Sequence, residues 1–492
     1  MTALVLAATA PTPSWSSTRG DRQVTVAATS QAVPAPGLLW RDCGDRLQCS
    51  RLSVPVDWRR PRGPRTGVDV ARMPAQHPGR RIGTLVANLG SGSSIQAVRA
   101  QPDLVGELTR WFDVVIMDGR GLGDRGSPVL VGCAQAAPDP ARPQLAPGRA
   151  AWRRHARDNA AYDRSCRTAA GTAFAGLTSR QSAHDLDAVR SALGEPRLRY
   201  FGNSYGAVYG QAYLELFPAR VHRMYLEGVP DHTEPDLGRR LLTRAVAVER
   251  QFTRFRDWCT RTLGCPLGDQ DAVEVFDRLR RRTPLSAGPG RGVSGRGLAV
   301  AVAAGLNQPK WPQLARALAQ AREGDAKGLA ALAGPEPVTP PGTVERVTYC
   351  HDFLPDVPAY RQLTAIEARL RQSAPRVGWT AGRQVIAQCA GVAPGPVWRP
   401  HVPVIGQVPP VLIGIGQLDL DTPAAGAAHA AGRVPGAAVL WHGDGHDAYL
   451  RQGTGRLRAT CLRTRVHDYL VNGMLPAPGT TCRGELGAGM GR

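Results

Sequence analysis

Leu198-Arg199-Tyr200-Phe201-Gly202-Asn203-Ser204-Tyr205-Gly206-Ala207, running on to Phe217, decides how this 492-residue chain is read. Residues 198–201 form a short β-rich run ending in glycine, which predicts a buried strand, and residues 207–217 predict a helix. Between them lies G-x-S-x-G. A tight strand-to-helix turn would project the serine, with glycines on either side admitting close backbone approach. The Ser204 hydroxyl would then stand near a helix N-terminus, whose free N–H groups favour the negative charge of a tetrahedral intermediate. The motif alone arises often by chance. Its setting between strand and helix favours a nucleophile over a simple turn serine.

Working outward, Thr84-Leu85-Val86-Ala87-Asn88 and Asp113-Val114-Val115-Ile116-Met117-Asp118 read as buried parallel strands, each ending in a Gly-rich turn. A helical stretch at 184–193 precedes the serine strand, and Met224-Tyr225-Leu226-Glu227 reads as a fourth strand. This alternation, from about Trp40 to Asp231, is the pattern of an α/β domain with a mostly parallel sheet flanked by helices. From His232 to Gly395 helical stretches dominate, at 239–262, 271–282 and 314–332, broken by a Gly/Pro/Ser linker at 286–297. Strand patterns return at 410–415 and 438–441. The expected organisation is a leader at 1–37, a core at 38–231, a mainly helical insertion at 232–395, and the rest of the core at 396–492.

A serine needs a base, and the base an orienting carboxylate, so Asp and His should follow Ser204 in that order. Asp419 follows the strand 411–415 and His446 follows the strand 438–441, both in loops at strand ends. Asp421 is a rival orienter, but beside Thr422-Pro423 it is better read as a helix cap. His442, at a strand end, is read as a surface or hydrogen-bonded histidine, and Asp444 as a turn former. His184, His351 and His429 have no partner pattern and are read as structural. Gly121-Leu122-Gly123-Asp124-Arg125-Gly126 matches G-x-G-x-x-G, yet Pro128 and an apolar run follow where a helix should open, which argues against a dinucleotide site. No cofactor or metal site is read from the sequence.

Composition narrows the setting. Hydrophobic residues make up 42% and charged residues 21%, which suits a chain with a sizeable core and excludes a disordered or fibrous one. No apolar run approaches the roughly 20 residues of a membrane-spanning helix, so integral membrane association is not expected. The net charge is +21, almost all of it arginine. The arginines are scattered without interleaved aromatics, so a cationic surface is preferred to a nucleic-acid partner. Ten cysteines fall in neighbouring pairs, 43/49, 133/166, 259/265, 350/389 and 461/482, with no zinc spacing. Sequential disulfides in an oxidising compartment are expected, secreted or in the cell envelope. Residues 3–10 resemble the end of a signal peptide, although no basic residue precedes them, so export rests mainly on the cysteines. The oligomeric state is not read from the sequence.

Taken together, the ordered motifs resemble the secreted bacterial tripeptidyl aminopeptidases, α/β-hydrolases related to prolyl aminopeptidases with a TAP-like carboxy-terminal part. The likeness runs from Trp40-Arg41-Asp42-Cys43 through Asp118-Gly119-Arg120-Gly121, Asp185-Leu186-Asp187-Ala188-Val189-Arg190 and the serine motif. It continues to Asp419-Leu420-Asp421-Thr422-Pro423, Gly445-His446 and Tyr469-Leu470-Val471-Asn472-Gly473 before Cys482. The resemblance implies an α/β-hydrolase fold with an inserted helical cap, puts the catalytic aspartate on Asp419, and implies an oxyanion hole from the Tyr205 N–H and a backbone N–H near Gly90 or Ser91. One departure stands out. The family's Asn-Pro-Gly-Gly-Pro-Gly loop reads here Asn88-Leu89-Gly90-Ser91-Gly92-Ser93-Ser94, without the stiffening prolines. A displaced donor typically costs about 100- to 1000-fold in turnover. Glu227 also replaces an aspartate common in the family.

The expected activity is a secreted serine aminopeptidase acting through an acyl-enzyme, with Ser204 as nucleophile, His446 as base facing it, and Asp419 holding the imidazole. Recognition of a free amino terminus calls for a carboxylate near the pocket; Glu227 and Asp352 are candidates, each with a bland reading as a structural or solvated acid. A secreted esterase on the same scaffold and a weakly active or non-catalytic binding homologue are the alternatives.

Overall fold

The fold is that of a computed structural model in which residues 37–123, 126–334 and 342–486 are described. The leader therefore lies outside the described residues apart from Gly37, as do Asp124 and Arg125 of the second glycine motif. The strands in chain order are β1 (Arg41–Asp42), β2 (Gln48–Pro55), β3 (Arg65–Met73), β4 (Thr84–Asn88), β5 (Asp113–Met117), β6 (Leu198–Asn203) and β7 (Val221–Glu227). They continue with β8 (Leu285–Ser286), β9 (Gly292–Val293), β10 (Leu412–Gly416), β11 (Ala438–His442) and β12 (Thr481–Cys482). Ten form one sheet in the order β1-β2-β3-β5-β4-β6-β7-β10-β11-β12. Pairing is antiparallel from β1 to β5 and parallel from there on.

Every residue of β4 and β10 is buried, because helices cover both faces, as parallel strands require. Leu186, Val208 and Ala427, from the helices Ser179–Ala192, Tyr205–Leu216 and Ala424–Ala431, pack on one face. Val98, Tyr449 and Val466, from the helices Ser94–Ala100, Ala448–Gln452 and Cys461–His467, pack on the other. The parallel register aligns Asn88 with Gly202, Asn203 with Glu227, Glu227 with Gly414, and Gly416 with His442. The loops leaving β4, β6, β7, β10 and β11 are thereby gathered at one end of the sheet, where doubly covered sheets bind ligands.

Arg120 and Asp185 brace this end from beneath. The guanidinium meets both carboxylate oxygens at 2.5 and 2.7 Å and also donates to the carbonyls of Pro55 and Val56. Both side chains are almost wholly buried. Such a pair is stabilised only because its remaining polar atoms are also satisfied; the Trp58 Nε1–H adds a bond of 2.7 Å to Asp185.

Between β7 and β10 the described residues form helices and the β8–β9 hairpin, with a separate core containing Phe252, Phe255, Phe276 and Trp311. Trp152, on the helix Arg149–Ala170, joins that core from the first part of the chain. Two local expectations are corrected. The linker expected at 286–297 is instead the β8–β9 hairpin followed by the helix Gly295–Gly305, which Ser294 caps by accepting from the Gly297 N–H. The helical stretch at 314–332 is two helices, Trp311–Arg322 and Lys327–Ala333, parted where Gly324 takes φ +104°. The ten cysteines form five sequential disulfides, with Cα atoms 4.5 to 5.7 Å apart.

Candidate active site

Ser204 lies between β6 and the helix Tyr205–Leu216 with φ 52° and ψ −116°. A non-glycine residue takes this left-handed geometry only where its surroundings impose it. Its N–H donates to the Glu227 carbonyl at 3.0 Å, which ties the turn to the end of β7. Tyr205 opens the helix, so its N–H is one of the donors a helix leaves without an internal partner.

The loop after β4 forms the facing wall. A Cβ on Gly90, at φ +114°, would stand 2.8 Å from the Ser204 Cβ, so both backbone and space demand glycine. The Gly90 N–H is spent on Asn88 Oδ1 at 3.1 Å, which corrects its expected part as an oxyanion donor. Ser91 remains, lining the same cavity as Ser204 and Tyr205. The loop without prolines is fixed by side chains instead. Ser93 Oγ donates to Asp118 Oδ2 at 2.6 Å, the Ile95 N–H donates to Asp118 Oδ1 at 3.1 Å, and the Leu89 N–H donates to Ser94 Oγ at 2.9 Å. Burial pushes the Asp118 carboxyl up to about 7.

On the other side, His446 Nδ1 is 2.8 Å from Asp419 Oδ2. Asp419 is itself fixed, accepting from the N–H groups of Asp421 at 2.9 Å and Thr422 at 2.8 Å and from the Thr422 hydroxyl at 2.5 Å. Burial opposes charge on both partners, yet their mutual attraction prevails: the Asp419 carboxyl lies below its ordinary range. The imidazole is raised to about 10 by Asp419, with Asp447 and Asp421 adding to it. Gly228, at φ +56°, lets the ring lie flat, since a Cβ there would stand 2.6 Å from His446 Cε1.

The expected contact between His446 and the serine hydroxyl is not made among the described residues. Nε2 instead faces Asp447 Oδ1 at 3.3 Å. Asp447 takes φ +57° at the start of the helix Ala448–Gln452, and Asn203 Nδ2 donates to its carboxylate. This backbone turn brings an acid beside the imidazole that no local sequence signal announces.

The rivals fall elsewhere. The Asp421 side chain is 60% exposed and lies 3.8 Å from Arg244. His442 is fully buried 3.4 Å from Glu227, and burial lowers it to about 4. Asp444 accepts from Gln452 Nε2 and from the N–H groups of Glu485 and Leu486, so it anchors the last described segment rather than merely forming a turn. His351 and His429 have structural partners, the Leu177 carbonyl and Asp231. His184 stacks on Trp58. Asp419, Asp421 and His446 are the one trio of acid and histidine ligand atoms within 4.8 Å of one another among the described residues. The Asp419 oxygens in it are already engaged by the bonds above.

The proposed amine anchors are not on the cavity. Glu227 is 1% exposed, accepts from the Tyr449 N–H, and is pushed by burial to about 8. Asp352 is fully buried, accepts from Ser179 and the Tyr205 hydroxyl, and is pushed by burial to about 7. A cavity of about 470 Å³, a size suited to a short peptide or small ligand, is lined instead by Ser91, Ser204, Tyr205, Arg240, Arg244 and Glu345, among others. Glu345 opens the helix Glu345–Phe353, and its carboxylate makes no ion pair or hydrogen bond among the described residues. Sequence reading missed Glu345, Asp447 and Thr422; only the D-x-x-T-P spacing pointed at the last.

Comparison with known proteins agrees with this architecture. A family model described as "alpha/beta hydrolase fold" matches residues 102–323, and one described as "TAP-like protein" matches residues 374–482. The chain has the α/β-hydrolase fold with a TAP-like carboxy-terminal part, and it is a hydrolase. It is similar to the serine protease Hip1 of Mycobacterium tuberculosis, with 29% identity over 88% of this chain and 87% of that protein. It is likewise similar to the tripeptidyl aminopeptidase of Streptomyces coelicolor, with 28% identity over 94% of this chain and 89% of that one. A carboxylesterase B of Mycobacterium tuberculosis is 27% identical over 61% of this chain and 62% of its own length.

Proposed function

We propose that the protein is an exported serine aminopeptidase that releases short peptides or single residues from free amino termini through an acyl-enzyme. The observation that carries this reading is the His446–Asp419 pair at 2.8 Å beside a left-handed Ser204 that lines a cavity of about 470 Å³. In the proposed cycle His446 swings about its Nδ1 bond, leaves Asp447 and takes the Ser204 proton. Ser204 attacks the carbonyl, and the oxyanion is received by the N–H groups of Tyr205 and Ser91. His446 returns the proton to the leaving amine, and water then repeats the sequence to release the acyl group.

Glu345 is proposed as the anchor for the substrate ammonium, since it lines the cavity and its carboxylate makes no ion pair or hydrogen bond among the described residues. The relative named tripeptidyl aminopeptidase supports the exopeptidase reading, and the five disulfides support export to an oxidising compartment. The carboxylesterase relative favours an esterase as the second reading.

A panel of aminoacyl, dipeptidyl and tripeptidyl chromogenic amides, each with and without an amino block, tests the choice. Free-amine amides should turn over and blocked ones should not. Equal turnover of amino-blocked esters would favour the esterase. A fluorophosphonate should label the wild type and not Ser204→Ala; labelling of both refutes the assigned nucleophile.

A further inference from the structure

The helix Leu237–Arg261 carries Arg240 and Arg244 one turn apart, and residues so spaced share a helix face. Both line the cavity that contains Ser204. Neither is saturated by protein. Arg240 Nη2 donates to the Phe353 carbonyl at 2.9 Å, its buried Nε has no hydrogen-bond partner, and it makes no ion pair among the described residues. Burial lowers its pKa, and Tyr349, Asp231, Glu234 and Asp236, none of which pairs with it directly, offset that only in part. Arg244 Nη1 donates to the Asp421 carbonyl at 2.9 Å, and the carboxylate oxygen it meets, Asp421 Oδ1, stands 3.8 Å away on a largely exposed side chain.

Among the described residues, the other acids on the cavity, Asp231 and Glu345, form no ion pair with either arginine, although Asp231 favours the Arg240 cation from a distance. Asp231 is engaged by His429 at 2.8 Å and by the Thr233 hydroxyl at 2.7 Å. Arg346 donates to the Pro138 carbonyl and to Asn159 on the wall where Glu345 stands.

Position gives the unsatisfied pair a meaning. Arg244 is bonded to the segment 419–422, which holds His446 through Asp419. In the proposed cycle His446 hands its proton to the leaving amine, so the part of the substrate beyond the scissile bond lies on that side. We infer that Arg240 and Arg244 form a subsite for a carboxylate carried by the leaving portion of the substrate. The planar guanidinium fork suits a carboxylate in two-pronged fashion. This inference rests on the aminopeptidase reading and narrows it: preferred substrates are short peptides whose own carboxyl terminus, or an acidic side chain just after the scissile bond, reaches the pair.

Binding to the Ser204→Ala protein, measured by calorimetry, reads the subsite without catalysis. The probes are three tetrapeptides with a free amino terminus: one ending in a free carboxylate, the same peptide amidated, and an amidated peptide with glutamate at the final position. Charge-assisted pairing should favour the carboxylate peptides about tenfold or more. The first and third probes distinguish terminal from side-chain carboxylate. Arg240→Gln and Arg244→Gln, each in the Ser204→Ala background, should bring the ratio close to one, and Arg240→Lys should restore part of it. Equal binding of all three by the Ser204→Ala protein, or a preference that survives both Gln variants, overturns the subsite. Absence of hydrolysis of any free-amine amide by the wild type would instead refute the peptidase reading, leaving the binding ratio to judge the arginines.

Discussion

Asp447→Asn probes the electrostatic state of His446. Asp447 Oδ1 is 3.3 Å from Nε2, and together with Asp419 and Asp421 it holds the imidazole protonated up to about 10 against the opposing effect of burial. A general base must be neutral, so hydrolysis should rise with pH as His446 loses its proton. Two unit charges about 4 Å apart interact by about 1 kcal/mol in bulk water and about 4 kcal/mol at an effective dielectric of about 20. Asp447 is 31% exposed, which places its contribution in the screened half of that range, about 1–2 kcal/mol or about one pH unit. Asparagine keeps an acceptor for Asn203 and tolerates the left-handed backbone. In a series of kcat/KM measurements with a free-amine chromogenic amide, the ascending limb should therefore move about one unit toward acid, raising the rate near neutrality up to about tenfold. A limb that stays in place, or moves toward alkali, refutes the reasoning.

Three further expectations concern the scaffold. Asp185→Ala leaves the buried Arg120 guanidinium unpaired and should cost about 3–5 kcal/mol in denaturant unfolding; a loss below about 1 kcal/mol would show the pair to be dispensable. Glu227 keeps its proton up to about 8 in the folded chain against an ordinary 4.5, so the unfolded chain binds fewer protons across that window. Stability should be full below the lower value and fall as pH rises toward the upper, as it should for Asp118 and Asp352, both raised to about 7. Glu227→Gln should flatten part of that fall in Tm measured from acid to mildly alkaline pH, and a slope as steep as the wild type's would count against a protonated Glu227. Ser93→Ala removes a bond from the loop that carries Ser91 and should lower kcat by up to about 100-fold with little change in KM; an unchanged kcat would mean that the loop needs no such restraint.

The buried parallel strands were legible because β4, β5, β6, β7, β10 and β11 carry apolar runs bounded by glycine or charged residues, and no other local structure uses such runs so economically. β2 and β3 escaped because polar residues interrupt their apolar positions: Arg51 and Ser53 are exposed beside buried Leu52 and Val54 in β2, and Asp69 sits within the buried run of β3. β12 is two residues long and exists only through its neighbour β11. At the candidate site, the order Ser204, Asp419, His446 could be read, and the Asp419–His446 bond follows from loops at adjacent strand ends. The closeness of Asp447 to the imidazole could not, since it depends on a left-handed backbone set by tertiary packing. Glu227 and Asp352 looked like ligands by charge alone; fold depth, which sequence does not carry, placed them in the interior.

All five disulfides join cysteines within 38–231, within 232–395 or within 396–492, and none joins a residue between β7 and β10 to the sheet. Oxidation hardens each portion of the chain without bolting the roof to the floor. What keeps the helix Leu237–Arg261 down over the Asp419 loop is a row of breakable side-chain contacts, from Arg244 to Asp421, Gln251 to Leu418 and Arg254 to Gln417. That row can break and re-form while every disulfide stays closed, so the helix is held over the Asp419 loop by reversible contacts rather than by a covalent tie.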